Sequence, residues 1–232
     1  MIVGINKPVG PTSHDIIYQV RRITHVKRVG HAGTLDPAAA GVLVVAIGRE
    51  YTKQLGTITG HDKEYVATVT LGATSSTDDR EGDIIVHRVQ PACAGRGVGV
   101  SRTEVDNAIG KFIGTIMQVP PAYSAIKMNG KKAYDLARKG TEVKMEPREV
   151  TIHSIEVVSY TYPELVINVH CGKGVYIRSL ARDIGESLGV GGYMSALTRT
   201  RVGDFRLENA LSIPEFETFW STHNDTLTTT NC

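Results

Sequence analysis

With 232 residues, 41% of them hydrophobic and 22% charged, the chain has material for one sizeable soluble core or two small ones. No apolar run approaches the roughly eighteen residues of a membrane-spanning helix, and Met1 to Gly10 lacks the basic and apolar blocks of a secretory signal. Three scattered cysteines suggest neither a disulfide framework nor a zinc site, so the chain reads as cytoplasmic; a net charge of +2 points to a polyanionic partner only through where its cations lie.

In chain order, Ile2 to Ile5 reads as a strand and Lys7 to Gly10 as a turn. Thr12 or Ser13 caps a helix whose Ile16, Ile17, Val20 and Ile23 share one face. Val42 to Ile47 is an apolar run suited to a buried strand, with a helix from Glu50 to Leu55. Tyr65 to Leu71 alternates as a strand, and loops follow at Asp78 to Asp83 and Gln90 to Val100. Ser101 and Glu104 form a capping box for a helix carrying Val105, Ile109 and Phe112. The pattern then predicts a strand from Tyr123 to Met128, a turn at Asn129-Gly130 and a helix from Lys132 to Lys139. Val150 to Tyr160 and Leu165 to Cys171 read as paired strands. Ile177, Leu180, Ala181, Ile184 and Leu188 repeat at helical spacing up to Gly189, and a last strand covers Ala196 to Val202. Residues 1–220 thus read as one α+β domain without internal repeats, and residues 221–232 as a polar, flexible, threonine-rich tail.

One stretch concentrates chemistry: Arg28-Val29-Gly30-His31-Ala32-Gly33-Thr34-Leu35-Asp36-Pro37. The glycines permit tight loop shapes, and Pro37 pushes Asp36 toward an extended backbone that fixes the direction of its carboxylate. Taken alone, an Asp-Pro pair is more often a turn starter than a catalytic group, and a lone loop histidine more often a surface residue. The cations are grouped: Arg21, Arg22, Lys27 and Arg28; then Lys127, Lys131, Lys132, Arg138, Lys139 and Lys144; then Lys173, Arg178 and Arg182; then Arg199, Arg201 and Arg206. The second group is interleaved with Tyr123 and Tyr134, and cations for phosphates beside rings for unstacked bases are the ingredients of RNA recognition.

Gly30 to Pro37 closely resembles the catalytic motif of the bacterial B-type tRNA pseudouridine-55 synthases. Four further blocks resemble that family in its order: Asn6 to Ser13, Asp62 to Tyr65, Pro120 to Lys127 with Gly130 to Tyr134, and Cys171 to Leu180. The resemblance covers roughly residues 3 to 215. It implies the pseudouridine synthase fold, a mixed and mostly antiparallel central sheet with flanking helices, and an RNA-gripping insertion at about 120–145. Asn6 stands where the family often has aspartate and Ala32 where threonine, serine or glycine is common. The family's usual C-terminal PUA domain has no counterpart after residue 220, so that domain is expected to be missing.

The implied activity is isomerisation of uridine to pseudouridine at position 55 in the tRNA T-loop, by a chain expected to work as a monomer without cofactor or metal. Asp36 takes the catalytic role, attacking the sugar or the base or acting as a base, and must be ionised to do so. Arg178 is the cation matched to it, and Tyr65 stacks on the base and helps to take the C5 proton. A uridine in a folded T-loop must be flipped out of its stack, and the resemblance gives His31 the space it vacates. It groups Lys7, Tyr123, Lys127, Lys131, Lys132 and Leu197 with the RNA-binding residues, Lys7 supporting the site's architecture and Leu197 touching the target base. Two other classes explain part of the pattern. A non-catalytic tRNA-binding module or chaperone would use the cations and rings without the carboxylate. A glycoside hydrolase would use Asp36 but needs a second carboxylate about 5–10 Å away, and no motif supplies one.

Overall fold

The structure, a computed structural model, describes residues 1–87, 99–124, 126–128, 131–132 and 145–228. It divides into two units, residues 1–65 with 198–232 and residues 66–197.

In the first unit β1 (Ile2–Lys7) leads through the turn at Pro8 to α1 (Ser13–Thr24). Thr12 is the cap: its hydroxyl accepts from Asp15 N at 3.1 Å, and the Asp15 carboxylate accepts from Thr12 N at 2.8 Å, so two helix-end amides are satisfied reciprocally. Ile16, Ile17 and Val20 are buried as their spacing predicts, and pack with Ile5, Leu43, Val45, Ile47 and Phe216. β2 (Val29–Ala32) and β3 (Ala39–Ile47) follow, and β3 pairs antiparallel with both β1 and β2. The helix expected at Glu50 to Leu55 is instead two short ones, α2 (Arg49–Thr52) and α3 (Leu55–Thr59). At the break Gln54 N bonds to Tyr51 O, three residues back, which tightens the turn and ends the α ladder.

The second unit is built on β4 (Lys63–Leu71), whose first three residues belong to the first unit. Its alternation is as regular as the sequence suggests, with Lys63, Tyr65, Ala67, Val69 and Leu71 all buried. A two-stranded sheet not anticipated from sequence, β5 (Ala73–Ser75) with β6 (Ile84–Val86), brackets the expected loop at Asp78 to Asp83. Next come α4 (Arg102–Gly110), with the Ser101–Glu104 capping box as expected, and β7 (Gly114–Gln118). β8 (Lys127–Met128) and β9 (Lys131–Lys132) pair antiparallel; of the strand expected from Tyr123 to Met128 the last two residues are in β8, and Ala125 lies outside the described residues. Residues 133–144, with the expected helix, and residues 88–98 of the expected loop lie outside the described residues. β10 (Arg148–Thr161) and β11 (Glu164–Cys171) pair antiparallel, and α5 (Ile177–Ser187) is closed by Gly189 at φ 72°.

β12 (Gly192–Val202) starts four residues earlier than its apolar pattern suggests and passes from the second unit into the first. Strand order is β12–β4–β11–β10–β7 in the second unit and β1–β3–β12 in the first, with β2 beside β3 and β13 (Phe205–Arg206) beside β12. The chain ends in α6 (Ile213–Thr228). Residues 221–228, expected as a flexible polar tail, continue this helix. Its start is capped by Ser212 and Glu215, and the Ser221 and Thr222 hydroxyls donate back to the carbonyls of Glu217 and Thr218 at 2.7 and 3.0 Å. Sheets with flanking helices, antiparallel in most pairs, make this an α+β fold. Among the described residues no helix is long and apolar enough to cross a membrane.

Candidate active site

Asp36 lies between β2 and β3 in a loop gripped through its main chain. Ser13, the buried first residue of α1, accepts from Leu35 N at 2.8 Å and donates to Leu35 O at 2.9 Å. Gly10 N donates to Pro37 O at 2.8 Å, and Ala39 N to Asp36 O at 3.0 Å. From β12, Arg199 donates through Nη2 to Gly33 O at 3.1 Å, through Nη1 to Thr34 O at 3.5 Å and through Nε to Val42 O at 2.8 Å. Leu35 and Ala38 bury their side chains on either side of the carboxylate, while Asp36 itself stays half-buried. A carboxylate on such a loop is held in place before substrate arrives, so no ordering cost falls on the reaction.

Lys7 closes the floor of this unit. It is fully buried at the end of β1, with Nζ donating to the carbonyls of Pro8 and Pro11, each at 2.8 Å. His31 is half-buried on β2, with the His14 ring edge-on at 5.8 Å. Burial holds its imidazole below the ordinary histidine pKa, helped by the charges of His14 and Arg199 and opposed by the Gly33 carbonyl. Its buried Nδ1 has no hydrogen-bond partner among the described residues. Tyr65 is buried on the inward face of β4.

The second unit holds the other group. Arg178, on the first turn of α5, is buried rather than exposed. Its Nη1 donates to Asp79 Oδ2 at 3.2 Å and Thr77 O at 3.3 Å, and its Nη2 to Tyr123 O at 2.9 Å. The sequence pairs Arg178 with Asp36; within its own unit the carboxylate it meets is Asp79, which sequence reasoning did not single out. Asp79 is in turn held by the Thr77 hydroxyl and Glu81 N. Gln118 bonds both main-chain groups of Tyr176, at 2.8 and 3.1 Å, and Ser179 and Arg182 both donate to Val119 O. The start of α5 is thus fastened to residues 118–123, just before the basic stretch. Tyr123 and Leu197 are both half-buried, and the side chains of Lys127, Lys131 and Lys132 lie outside the described residues.

Two arginines from the sequence's cation groups are engaged by the protein's own groups. Arg199 is fully buried, and Arg182 pairs with Asp78 at 2.7 Å and Asp183 at 2.8 Å. Burial pushes both carboxyls above their ordinary pKa, and Arg182 pulls each back down. A carboxyl raised in the folded state favours folding below its unfolded pKa and loses that contribution as pH rises through the folded value. Arg182→Gln removes the counter-charge, raises both carboxyls further and should cost about 2 kcal/mol at pH 7. The gap in melting temperature from wild type should narrow as pH falls from 7 to 5; a gap independent of pH would show that the pair carries no net charge effect.

Residues 21–177 match the family model described as TruB family pseudouridylate synthase (N terminal domain), and residues 178–229 match the tRNA pseudouridylate synthase B C-terminal domain. The chain belongs to the TruB family of pseudouridylate synthases. It is 44% identical over 220 residues to tRNA pseudouridine synthase B of Corynebacterium diphtheriae, spanning 93% of this chain and 72% of that one. To the protein of the same name from Desulfotalea psychrophila it is 47% identical over 214 residues, 90% of this chain and 84% of that one. Among solved structures it is similar to the crystal structure of a Cbf5-Nop10-Gar1 complex, with TM-score 0.72 and 30% identity over 96% of this chain, which spans 56% of the solved one. The seam between the two TruB models falls at Arg178, inside the first turn of α5. The Asp36 loop, His31 and Tyr65 lie within the N-terminal model.

Proposed function

We propose that this chain isomerises uridine to pseudouridine in tRNA, at position 55 of the T-loop, acting in the cytoplasm as a monomer on the T stem-loop. The reaction breaks the N1–C1′ bond, forms C5–C1′, moves a proton to N1 and takes one from C5, with no redox change. The observation that carries the reading is the Asp36 loop itself. A half-buried carboxylate held through its main chain by Ser13, Gly10 and Arg199 is built to meet a reacting carbon, and it stands within the segment that matches the TruB family.

In this reading Asp36 acts at the sugar or the base, Tyr65 stacks on the uracil and helps to remove the C5 proton, and Arg178 favours the charged form of Asp36. His31 fills the gap that the flipped nucleotide leaves, and Leu197 touches the base. Lys7 holds the turn beside the loop. Tyr123, Lys127, Lys131 and Lys132 meet phosphates and unstacked bases, giving affinity and orientation rather than sequence choice.

The test is incubation of the purified protein with unmodified tRNA carrying tritium at uracil C5, followed by nucleotide-resolution mapping. Release of tritium with one new pseudouridine in the T-loop is the expected result, and an isolated T stem-loop should serve nearly as well. Binding without tritium release would mark a non-catalytic tRNA-binding module, and free uracil a hydrolase. Arg178→Lys supplies a further check: it keeps a charge but not the planar fork that reaches both Asp79 and the Tyr123 carbonyl. Its single-turnover rate should fall about 100-fold with little change in RNA affinity; a near-native rate would remove Arg178 from the reaction.

A further inference from the structure

Among the described residues Arg199 is the largest fully buried side chain, and no carboxylate meets it there. Buried guanidinium groups ordinarily pair with an acid. This one spends its donors on three main-chain carbonyls, and their places in the chain are informative. The excursion that carries Asp36 leaves β2 after Ala32 and enters β3 at Ala39. Arg199 bonds Gly33 and Thr34 at its start and Val42 just past its end. One rigid plane therefore staples the two feet of the loop together, with Asp36 between them.

The same side chain bears on His31. Its charge is one of the influences that lower the imidazole's pKa, after burial and His14, and Gly33, which it grips, lies two residues along. Gly33 itself takes φ 84°, a conformation that places the site of a β-carbon 3.5 Å from Arg199 Nη1. Loop and guanidinium are thus fitted to each other at contact distance, and carbonyl acceptors do not titrate, so the staple holds across the working pH range.

We infer that Arg199 is a positioning residue for the isomerisation: its buried guanidinium fixes the loop that carries Asp36 and the histidine that precedes it. The inference rests on the isomerase reading for its kinetic part, and its structural part is measurable without turnover. Arg199→Lys keeps the charge but offers one nitrogen in place of a three-pronged plane; Arg199→Met keeps the bulk and offers no donor.

Single-turnover rate on saturating T stem-loop, RNA dissociation constant, melting temperature and the NMR titration of His31 are compared with wild type. Arg199→Lys should lose at least tenfold in rate with its dissociation constant within threefold. Arg199→Met should lose more, and its His31 should titrate at higher pH because a neighbouring charge is gone. A role in fold stability alone would lower the melting temperature and leave the rate, read well below that temperature, unchanged. A folded variant within twofold of the wild-type rate overturns the inference.

The wild-type protein carries an independent reading should neither variant fold. With arginine labelled with 15N, the Arg199 Nη signals should show hindered rotation both free and with the stem-loop bound, and a freely rotating guanidinium would overturn the staple. Wild-type protein inactive on tRNA but with a hindered Arg199 would sink the isomerase reading and leave the staple standing.

Discussion

Asp36→Asn should abolish pseudouridine formation, by at least about 10,000-fold, while tRNA binding stays within about threefold. The exchange is nearly isosteric, and the loop is gripped at main-chain atoms: Gly33 O, Thr34 O, Leu35 N and O, Asp36 O and Pro37 O. The asparagine should therefore stand where the aspartate stood. It lacks the charge to attack, or to take a proton from, a sugar or base. A loss of that size corresponds to about 5 kcal/mol of transition-state stabilisation, within the range for removing a group that bonds to the reacting centre. The measurement is tritium release under single-turnover conditions, with binding followed separately. Activity above a trace in fully purified protein would remove Asp36 from the reaction.

The second large effect is on folding. Gly41→Ala should prevent a cooperative native fold or lower the melting temperature by about 10 °C or more, a loss of about 3–5 kcal/mol. Gly41 sits in β3 at φ 108°, a conformation that side chains rarely adopt, opposite Lys7 of β1. A β-carbon there would lie 2.2 Å from Arg199 O and 2.7 Å from Arg199 N, both main-chain atoms that cannot swing aside. Any relief must push β12 away from β3, and Arg199 leaves with it. Circular dichroism melts of the variant are the check. A melting temperature within about 3 °C of wild type would mean that the two strands tolerate separation.

The parts of the fold legible in the sequence are those whose signal is local. The alternation of β4, the helix cap at Thr12 or Ser13, the capping box at Ser101 and the spacing from Ile177 to Ile184 all announce themselves within a dozen residues. Asp36 was singled out for another reason, because five ordered motifs resemble one family. What escaped is what long separation conceals. Asp79 meets Arg178 across 99 positions, and Arg199 reaches Gly33 across 166, and no periodicity encodes either. Their side chains also look like surface charge until the fold closes around them. The short β5–β6 sheet escaped because three-residue strands carry almost no pattern, and Ile84, Ile85 and Val86 are all exposed.

Because the Asp36 loop is held by its carbonyls and amides, the side chain at Thr34 carries little structural duty. Thr34 is exposed, and its side chain makes none of the bonds that shape the loop. The position of the carboxylate is therefore insensitive to what stands at Thr34, and acutely sensitive to buried residues distant in sequence, Ser13 and Arg199 among them. A library randomised at Thr34 should keep its geometry, whereas one at Ser13 should scatter it. Several vulnerable addresses of this loop therefore lie outside it.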